Sequence, residues 1–151
     1  MKKILLLIIV SICCITLSGC GNKNIEGSLE DIMTKVHASL TVEETPMMLT
    51  NIEITKENAE AYLGTSKIDF EEALASESMT GSIAHSVMLI RVKQNATVEL
   101  IEEMLEESVN PRKWICVEAE EVEVESQGNL IIVVMSSEIT ADKIISAFNK
   151  L

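Results

Sequence analysis

Two histidines and one cysteine are the side chains best suited to catalysis or metal binding. They are His37, His85 and Cys116. A nucleophilic cysteine needs a base close by, and a metal site needs three or four ligands at suitable spacing. The chain has no HxxxH, HExxH or paired CxxC motif. Both histidines are therefore expected to be structural or solvated. A metal site shared by His37, His85 and an acidic residue is the open alternative.

Cys116 lies in a predicted strand, on the face that it shares with Glu118. A negative neighbour disfavours the thiolate, which is the reactive form of cysteine. A structural or merely tolerated cysteine is therefore the expectation, with an enzyme site built from His85 and Cys116 as the alternative. GxSxG, SxxK, P-loop and GxGxxG motifs are also missing from the sequence. We predict no catalytic residue, no metal and no cofactor.

Carboxylates are the most abundant reactive groups, since 24 Asp and Glu oppose 12 Lys and Arg and give a net charge of −12. This balance argues against nucleic acid as a partner, because phosphate binding needs clustered basic residues. No DxDxDG calcium loop is present, so a solvated acidic surface is the expectation. The alternative is weak binding of divalent cations, or a surface that attracts a basic protein or a small ligand. Its candidate residues are Glu118, Glu121, Glu123 and Glu125.

The first twenty residues differ in kind from the rest of the chain. Lys2 and Lys3 precede an apolar run from Ile4 to Ile15 that only Ser11 interrupts. This run has about a dozen residues, whereas a helix that spans a membrane needs roughly 20. A basic start, a short apolar run and small residues at its end are typical of a secretory signal peptide.

The sequence Leu17-Ser18-Gly19-Cys20 resembles the lipobox of bacterial lipoproteins. In that family the cysteine thiol receives a diacylglyceryl group, and cleavage then leaves the cysteine as the new N-terminus. The resemblance implies that residues 1–19 are removed and that Cys20 carries the lipid, with acyl chains such as palmitate. The protein would then be exported and anchored to the outer face of the cell membrane. An uncleaved membrane anchor and a signal cut without lipidation are the alternatives.

Processing would leave a short tether at residues 20–27 and a single domain at residues 28–151. Loss of Lys2 and Lys3 would change the net side-chain charge from −12 to −14. Cys116 would be the only remaining thiol, so the domain would have no internal disulfide. We therefore expect an ordinary packed core, which a domain of this size can supply.

Apolar spacing and capping residues predict the elements. Ser28 begins a first helix, Gly64 ends a second, Asn110-Pro111 ends a third and Thr140 caps the last. Apolar runs at 87–90 and 130–135 are typical of strands covered on both faces. The stretch 68–79 has features of both helix and strand, and we favour a hairpin here. The stretch 115–125 alternates as a strand whose parity changes midway, which predicts a β-bulge at Glu120-Glu121.

These elements predict an α+β fold in the order α-α-β-β-α-β-β-α. Its antiparallel sheet has about four strands, with helices packed on one face.

Several segments together resemble a family of small bacterial lipoproteins catalogued as domain of unknown function 4358. They are the lipobox, Pro46 after an amphipathic helix, Tyr62-Leu63-Gly64 leading to Ile68-Asp69-Phe70-Glu71-Glu72, the strand Val87 to Val92 before an acidic helix, the strand 129–134 and the closing helix with Phe148. These are patterns of apolar residues and turns, and the family brings no established activity. The sequence therefore favours a non-catalytic binding or accessory domain on a lipid anchor. An envelope enzyme near His85 and Cys116 and a purely structural lipoprotein are the alternatives.

Overall fold

The computed structural model describes residues 24–151, which form one antiparallel sheet and four helices. The predicted α+β fold is confirmed. The predicted signal peptide, the lipobox and Cys20 lie outside the described residues. Among the described helices, none has the length and apolar character needed to cross a membrane. The elements are α1 (Leu29–His37), β1 (Leu49–Glu53), α2 (Ala59–Leu63), β2 (Phe70–Ser78), β3 (Ser86–Val92), α3 (Val98–Ser108), β4 (Glu121–Gln127), β5 (Leu130–Ser136) and α4 (Glu138–Phe148).

The sheet has five strands in the order β1-β2-β3-β5-β4, and every neighbouring pair is antiparallel. The predicted element order is thus kept, with β1 as a fifth strand. This strand was not predicted because it lies at an edge of the sheet and none of its five residues is fully buried. The ambiguous stretch at 68–79 forms β2, which pairs with β3 as a hairpin and is bulged between Phe70 and Glu72.

The helices cover both faces of the sheet, whereas the prediction placed them on one face. Leu74 pairs with Leu89, and Leu89 pairs with Ile132; this face packs against α1 and α4. Alternate residues such as Ile90 and Ile131 point to the opposite face and pack with α2 and α3. Strands with two buried faces need apolar residues at every position. The continuous apolar runs of β3 and β5 therefore reflect this double coverage.

Local capping explains where several helices begin and end. The Ser28 hydroxyl accepts a hydrogen bond from the Asp31 amide at 3.1 Å, which satisfies a free donor of the first turn of α1. Gly64 ends α2 with φ +72°, a conformation that favours glycine. A Cβ at this position would lie 1.8 Å from the Ser108 carbonyl oxygen, so glycine also permits α2 to approach α3. The last helix begins at Glu138 after Ser137, which makes the predicted cap at Thr140 wrong.

The segment before β4 is irregular, so the predicted strand over 115–125 is too long. The side chain of Ile115 is 89% exposed, and β4 begins only at Glu121. The predicted bulge, which would keep the apolar residues of 115–125 on one face, is therefore wrong. The segment is held instead by the Ala119 amide, which donates to the Pro111 carbonyl oxygen at 2.9 Å. A local hydrogen bond thus replaces the expected strand pairing.

The two ends of the sheet differ in what surrounds them. We call the end where β5 starts at Leu130 the proximal end, and the end where it finishes at Ser136 the distal end. At the proximal end, the Arg91 guanidinium donates to the carbonyl oxygens of Ile25 (2.6 Å) and Gly27 (2.8 Å). The chain therefore enters the domain at the proximal end. A seven-residue strand places the distal end about 20 Å away.

Candidate functional site

A chain of hydrogen bonds at the distal end connects α1 to the centre of the sheet. Nδ1 of His37 lies 3.0 Å from the Met33 carbonyl oxygen, and its Nε2 lies 3.3 Å from Nε2 of His85. Nδ1 of His85 lies 2.9 Å from the Ser136 hydroxyl oxygen. His85 directly precedes β3 and is fully buried, as is nearly all of Ser136. The fold thus brings together two histidines that are 48 residues apart in sequence.

The contacts assign one tautomer to each neutral ring. A carbonyl oxygen can only accept, so Nδ1 of His37 carries the proton and its Nε2 is an acceptor. Nε2 of His85 must then donate to His37, which leaves Nδ1 of His85 to accept from the Ser136 hydroxyl. Every polar atom of the chain has a partner in this arrangement. Protonation of His37 at Nε2 would place two donors opposite each other at the contact between the rings.

The arrangement resembles a serine with its base, but burial makes the base weak. Burial and, to a smaller extent, repulsion from His37 together lower the pKa of His85 to about 3. Burial also lowers the pKa of His37 below its usual value, against the raising effect of the Met33 carbonyl. A general base works best when its pKa is near the operating pH. The geometry therefore suits a neutral connector between helix and sheet better than a catalytic pair.

A groove of about 440 Å³ passes over this connector at the distal end. Its lining includes Met47, Ile83, His85 and Thr140, together with carboxylates of the neighbouring loops. These carboxylates are Glu43, Glu44, Glu118 and Glu120. Because His85 and Ser136 are 0% and 3% exposed, a molecule in the groove would meet the loop side chains rather than these two groups. The groove is therefore acidic and partly apolar at its rim.

A second polar cluster lies on the other face of the distal end. The Lys113 ammonium pairs with the Glu77 carboxylate and donates to the Ser86 hydroxyl at 3.2 Å. It also lies 5.5 Å from the centre of the Tyr62 ring and 5.3 Å from that of Trp114. Both charged side chains are only about 15% exposed. Cation–π contacts of this kind stabilise a partly desolvated ammonium. This cluster fixes the irregular segment against β2 and β3, and the sequence offered no motif that marked it.

Cys116 is exposed and does not share a pocket with His85. It lies in a separate depression of about 490 Å³ with Trp114 and Ile115, whereas His85 lines the distal groove. Val117 and Glu118 line both depressions. The thiol therefore has no histidine base among the residues around it, and the arrangement does not assemble the alternative enzyme site.

The four candidate partner carboxylates do not form one row. Glu121, Glu123 and Glu125 alternate along β4, which is the edge strand of the sheet. Burial raises the pKa of Glu123, as does repulsion from Glu121, Glu125 and Asp142. Glu118 instead lies before the strand, where it pairs with Arg112. The edge strand thus carries a crowded line of negative charge, and Glu118 belongs to the rim of the distal groove.

A basic depression of about 550 Å³ separates the exposed surfaces of α1 and α4. Its lining includes Lys35, Lys143 and Lys150, together with Asp142. Lys143 also pairs with Glu44 from the loop after α1. This lysine groove contrasts with the acidic rim of the distal groove.

Within residues 24–151, no group of three or more His, Cys, Asp and Glu side chains is placed to hold a metal ion. The pair His37 and His85 therefore has no third ligand there. Among protein-family models, curated proteins and solved structures, none matches the chain.

Proposed function

We propose that this protein is an exported lipoprotein whose domain acts as a non-catalytic binding or accessory module at the outer face of the cell membrane. Removal of residues 1–19 would leave Cys20 with its diacylglyceryl group as the anchor. The observation that carries this proposal is the order of basic start, short apolar run and Leu17-Ser18-Gly19-Cys20. The resemblance to domain of unknown function 4358 agrees with it and stays a prediction.

The way in which the chain enters the domain supports a short tether. Arg91 fixes the backbone of Ile25 and Gly27 against the proximal end. Asn24 is the fourth residue after Cys20, and four residues span at most about 14 Å when extended. A lipid on Cys20 would therefore hold the proximal end close to the membrane surface.

The absence of a catalytic role is proposed from the described side chains. The histidine chain is buried and neutral, and Cys116 lies in a different depression. Binding fits the surface better, because the edge strand presents Glu121, Glu123 and Glu125 next to Asp142. A basic protein would relieve the repulsion that raises the pKa of Glu123. A small cationic ligand is the other member of this class.

The anchoring step is tested by Cys20→Ala in the full-length chain, with Cys116→Ala as the matched control. Cells grown with radiolabelled palmitate are lysed, and their membrane and soluble fractions are compared. We expect Cys20→Ala to lose both the label and membrane association, whereas Cys116→Ala should keep them. Unchanged fractionation and labelling of Cys20→Ala would show that the protein is not anchored in this way.

The binding step is tested by reversing the charges of Glu121, Glu123 and Glu125 to lysine. A partner recovered by cross-linking in intact cells should be lost from this variant and should dissociate as salt rises, because screening weakens contacts between exposed charges. Reversal of Glu99, Glu103 and Glu106 on α3 is the control for net charge. Equal loss from both variants would mean that overall charge, not the edge strand, carries binding.

A further inference from the structure

The distal end exposes apolar side chains that come from three separate segments. Four of the eight large apolar side chains exposed within residues 24–151 lie on the loop before β1, the loop after β2 and the segment before β4. They are Met47 (70% exposed), Met48 (67%), Met79 (59%) and Ile115 (89%). We call these four residues the distal patch. Single exposed apolar residues are normal, but a contiguous group marks an interaction surface.

Contacts within the fold show that the four residues are neighbours. The Met79 amide donates to the Met48 carbonyl oxygen at 3.1 Å, and the Ser78 hydroxyl donates to that of Met47 at 2.8 Å. A Cβ added at Gly81, two residues after Met79, would lie 3.5 Å from Cδ1 of Ile115. The loop before β1, the loop after β2 and the segment before β4 thus converge at one place.

The backbone holds Met48 in an uncommon conformation. Its φ is +55°, and it is the only residue other than glycine with a positive φ within the described chain. This conformation costs an ordinary residue roughly 1–2 kcal/mol. The hydrogen bonds that Met47 and Met48 accept from Ser78 and Met79 keep the loop in place despite this cost. The patch is therefore fixed by the fold before any partner binds.

The position of the patch decides between a membrane and a protein as its partner. The chain enters at the proximal end, and the patch lies about 20 Å further along the sheet. If Cys20 carries the anchor, as proposed above, the short tether keeps the proximal end at the membrane. The distal patch then points away from the lipid surface. A membrane occupant would require the domain to turn over on a tether that is too short for it.

The charge around the patch determines the chemistry of the partner. Met47 shares its groove with Glu43, Glu118 and Glu120. Two carboxylates of this rim have cationic partners, since Glu118 pairs with Arg112 and Glu44 pairs with Lys143, whereas no Lys or Arg within residues 24–151 lines the groove itself. A second copy of the chain would bring the same carboxylates together across a symmetric contact, which is unfavourable. A basic segment would be attracted instead.

We propose that the distal patch and the acidic rim beside it form the docking surface for a segment of another protein that is both apolar and basic. This inference depends on the proposed lipid anchor for its orientation. Methionine side chains suit such a role, because they are flexible and adapt to varied apolar partners. The carboxylates at the rim would fix the orientation of the basic residues.

Site-specific photo-cross-linking in intact cells tests this inference. A benzophenone amino acid replaces Met79 in the full-length chain, and a matched variant carries it at Leu100 on α3. Both positions are 59% exposed, but Leu100 follows the proximal end. We expect a protein adduct from position 79 and not from position 100. The cross-linked peptide of the partner, sequenced by mass spectrometry, should carry apolar residues and a net positive charge.

A second variant tests whether the adduct depends on the side chains of the distal patch or arises from random collisions. Met47→Gln together with Ile115→Asn should lower the adduct yield at position 79 about tenfold, which corresponds to about 1.4 kcal/mol of binding energy. Both side chains are exposed, so the fold should tolerate the changes. If the double variant does not accumulate, Met47→Gln alone serves the same purpose with a smaller loss. An adduct yield that does not change would overturn the inference.

Adducts with other molecules would also contradict the proposed docking surface. A lipid adduct at position 79 would identify a membrane surface, and an adduct of twice the mass would identify a second copy. A partner peptide that is acidic or uncharged, or equal adducts at positions 79 and 100, would remove the proposed specificity. Fractionation of the same cells reports the anchor separately. If the protein is membrane-bound but does not give the expected adduct, the docking surface is contradicted and the lipid anchor is not. If the protein is in the soluble fraction and still gives the expected adduct, only the lipid anchor is contradicted.

Discussion

The proximal and distal ends of the same sheet use their side chains in opposite ways. At the proximal end, the Arg91 side chain is only 12% exposed; it donates to the backbone carbonyl oxygens of Ile25 and Gly27 and pairs with Glu72. At the distal end, the polar groups of His85 and Ser136 are satisfied inside, while Met47 and Met79 are left in solvent. The proximal end thus fixes the entering chain, which carries the proposed anchor, whereas the distal end leaves apolar side chains free for the proposed partner.

The largest expected effect comes from breaking the histidine connector at the distal end. His85→Ala would leave a cavity and would remove the partners of His37 and Ser136. We expect a loss of about 3 kcal/mol in the free energy of unfolding. Urea denaturation of the purified full-length protein measures it. Ser136→Ala removes one hydrogen bond and should cost only about 1 kcal/mol; equal losses would mean that the chain of contacts is not what holds α1.

Removing the Arg91 side chain at the proximal end should lower the free energy of unfolding somewhat less than His85→Ala does. It should also affect a different segment of the chain. Arg91→Ala removes two hydrogen bonds to backbone carbonyl oxygens and the ion pair with Glu72, and should lower the free energy of unfolding by about 2 kcal/mol. Amide hydrogen exchange should rise at Ile25 to Gly27, with little change around Met79. Lys93→Ala is the control, because its pair with Asp69 is exposed and worth less than about 1 kcal/mol. Faster exchange at the distal end would show that the two ends are not independent.

Acid should weaken the distal end through its histidines. Burial lowers the pKa of His37, and it lowers that of His85 to about 3, so the unfolded chain, with a usual value of 6.5, takes up protons first. The two histidines therefore leave the free energy of unfolding unchanged above pH 6.5. They lower it as the pH decreases from 6.5 toward 3. The slope is at most about 1.4 kcal/mol per pH unit for each histidine.

Denaturation at a series of pH values between 7 and 5 measures this slope before most carboxylates titrate. The double variant His37→Gln and His85→Gln should show a flatter profile over the same range. If the two profiles run parallel, the histidines are not buried as neutral groups.

The smallest expected effects on stability come from two glycines in turns, one at each end of the sheet. Gly128 joins β4 to β5 at the proximal end with φ +61°, and a Cβ there would lie 2.7 Å from the Asn24 side chain. Gly128→Ala should therefore cost about 1 kcal/mol and displace Asn24. Gly81→Ala at the distal end meets Ile115 only at ordinary contact distance and should be nearly neutral. Thermal denaturation of both variants tests this, and the reverse order would contradict it.

Features decided by neighbouring residues could be predicted from the sequence. The Ser28 cap, the glycine end of α2 and the apolar strands β3 and β5 depend on local spacing. The edge strand β1 could not be predicted, because its pattern carries no buried alternation. The exposed Ile115 shows why a predicted strand failed: alternation alone does not supply a pairing partner.

The candidate site was harder to predict than the fold. His37 and His85 were recognised as candidates, but their contact depends on how α1 packs across the sheet. The Lys113 pair with Glu77 joins two segments that no motif connects. The distal patch depends on three loops that meet only in the folded chain. Sequence spacing shows the residues of one element, whereas these sites depend on distances between elements.

The orientation of the two ends relative to the membrane is the central claim, and it can be measured directly. The lipidated protein, with Cys116→Ser to remove the competing thiol, carries a fluorophore through Met79→Cys or Asn95→Cys. Each is reconstituted into vesicles whose lipid headgroups bear a quencher. We predict strong quenching at position 95, near the proximal end, and weak quenching at position 79. Equal quenching would mean that the domain lies flat, for example on Lys35, Lys143 and Lys150, and stronger quenching at position 79 would place the distal patch at the membrane.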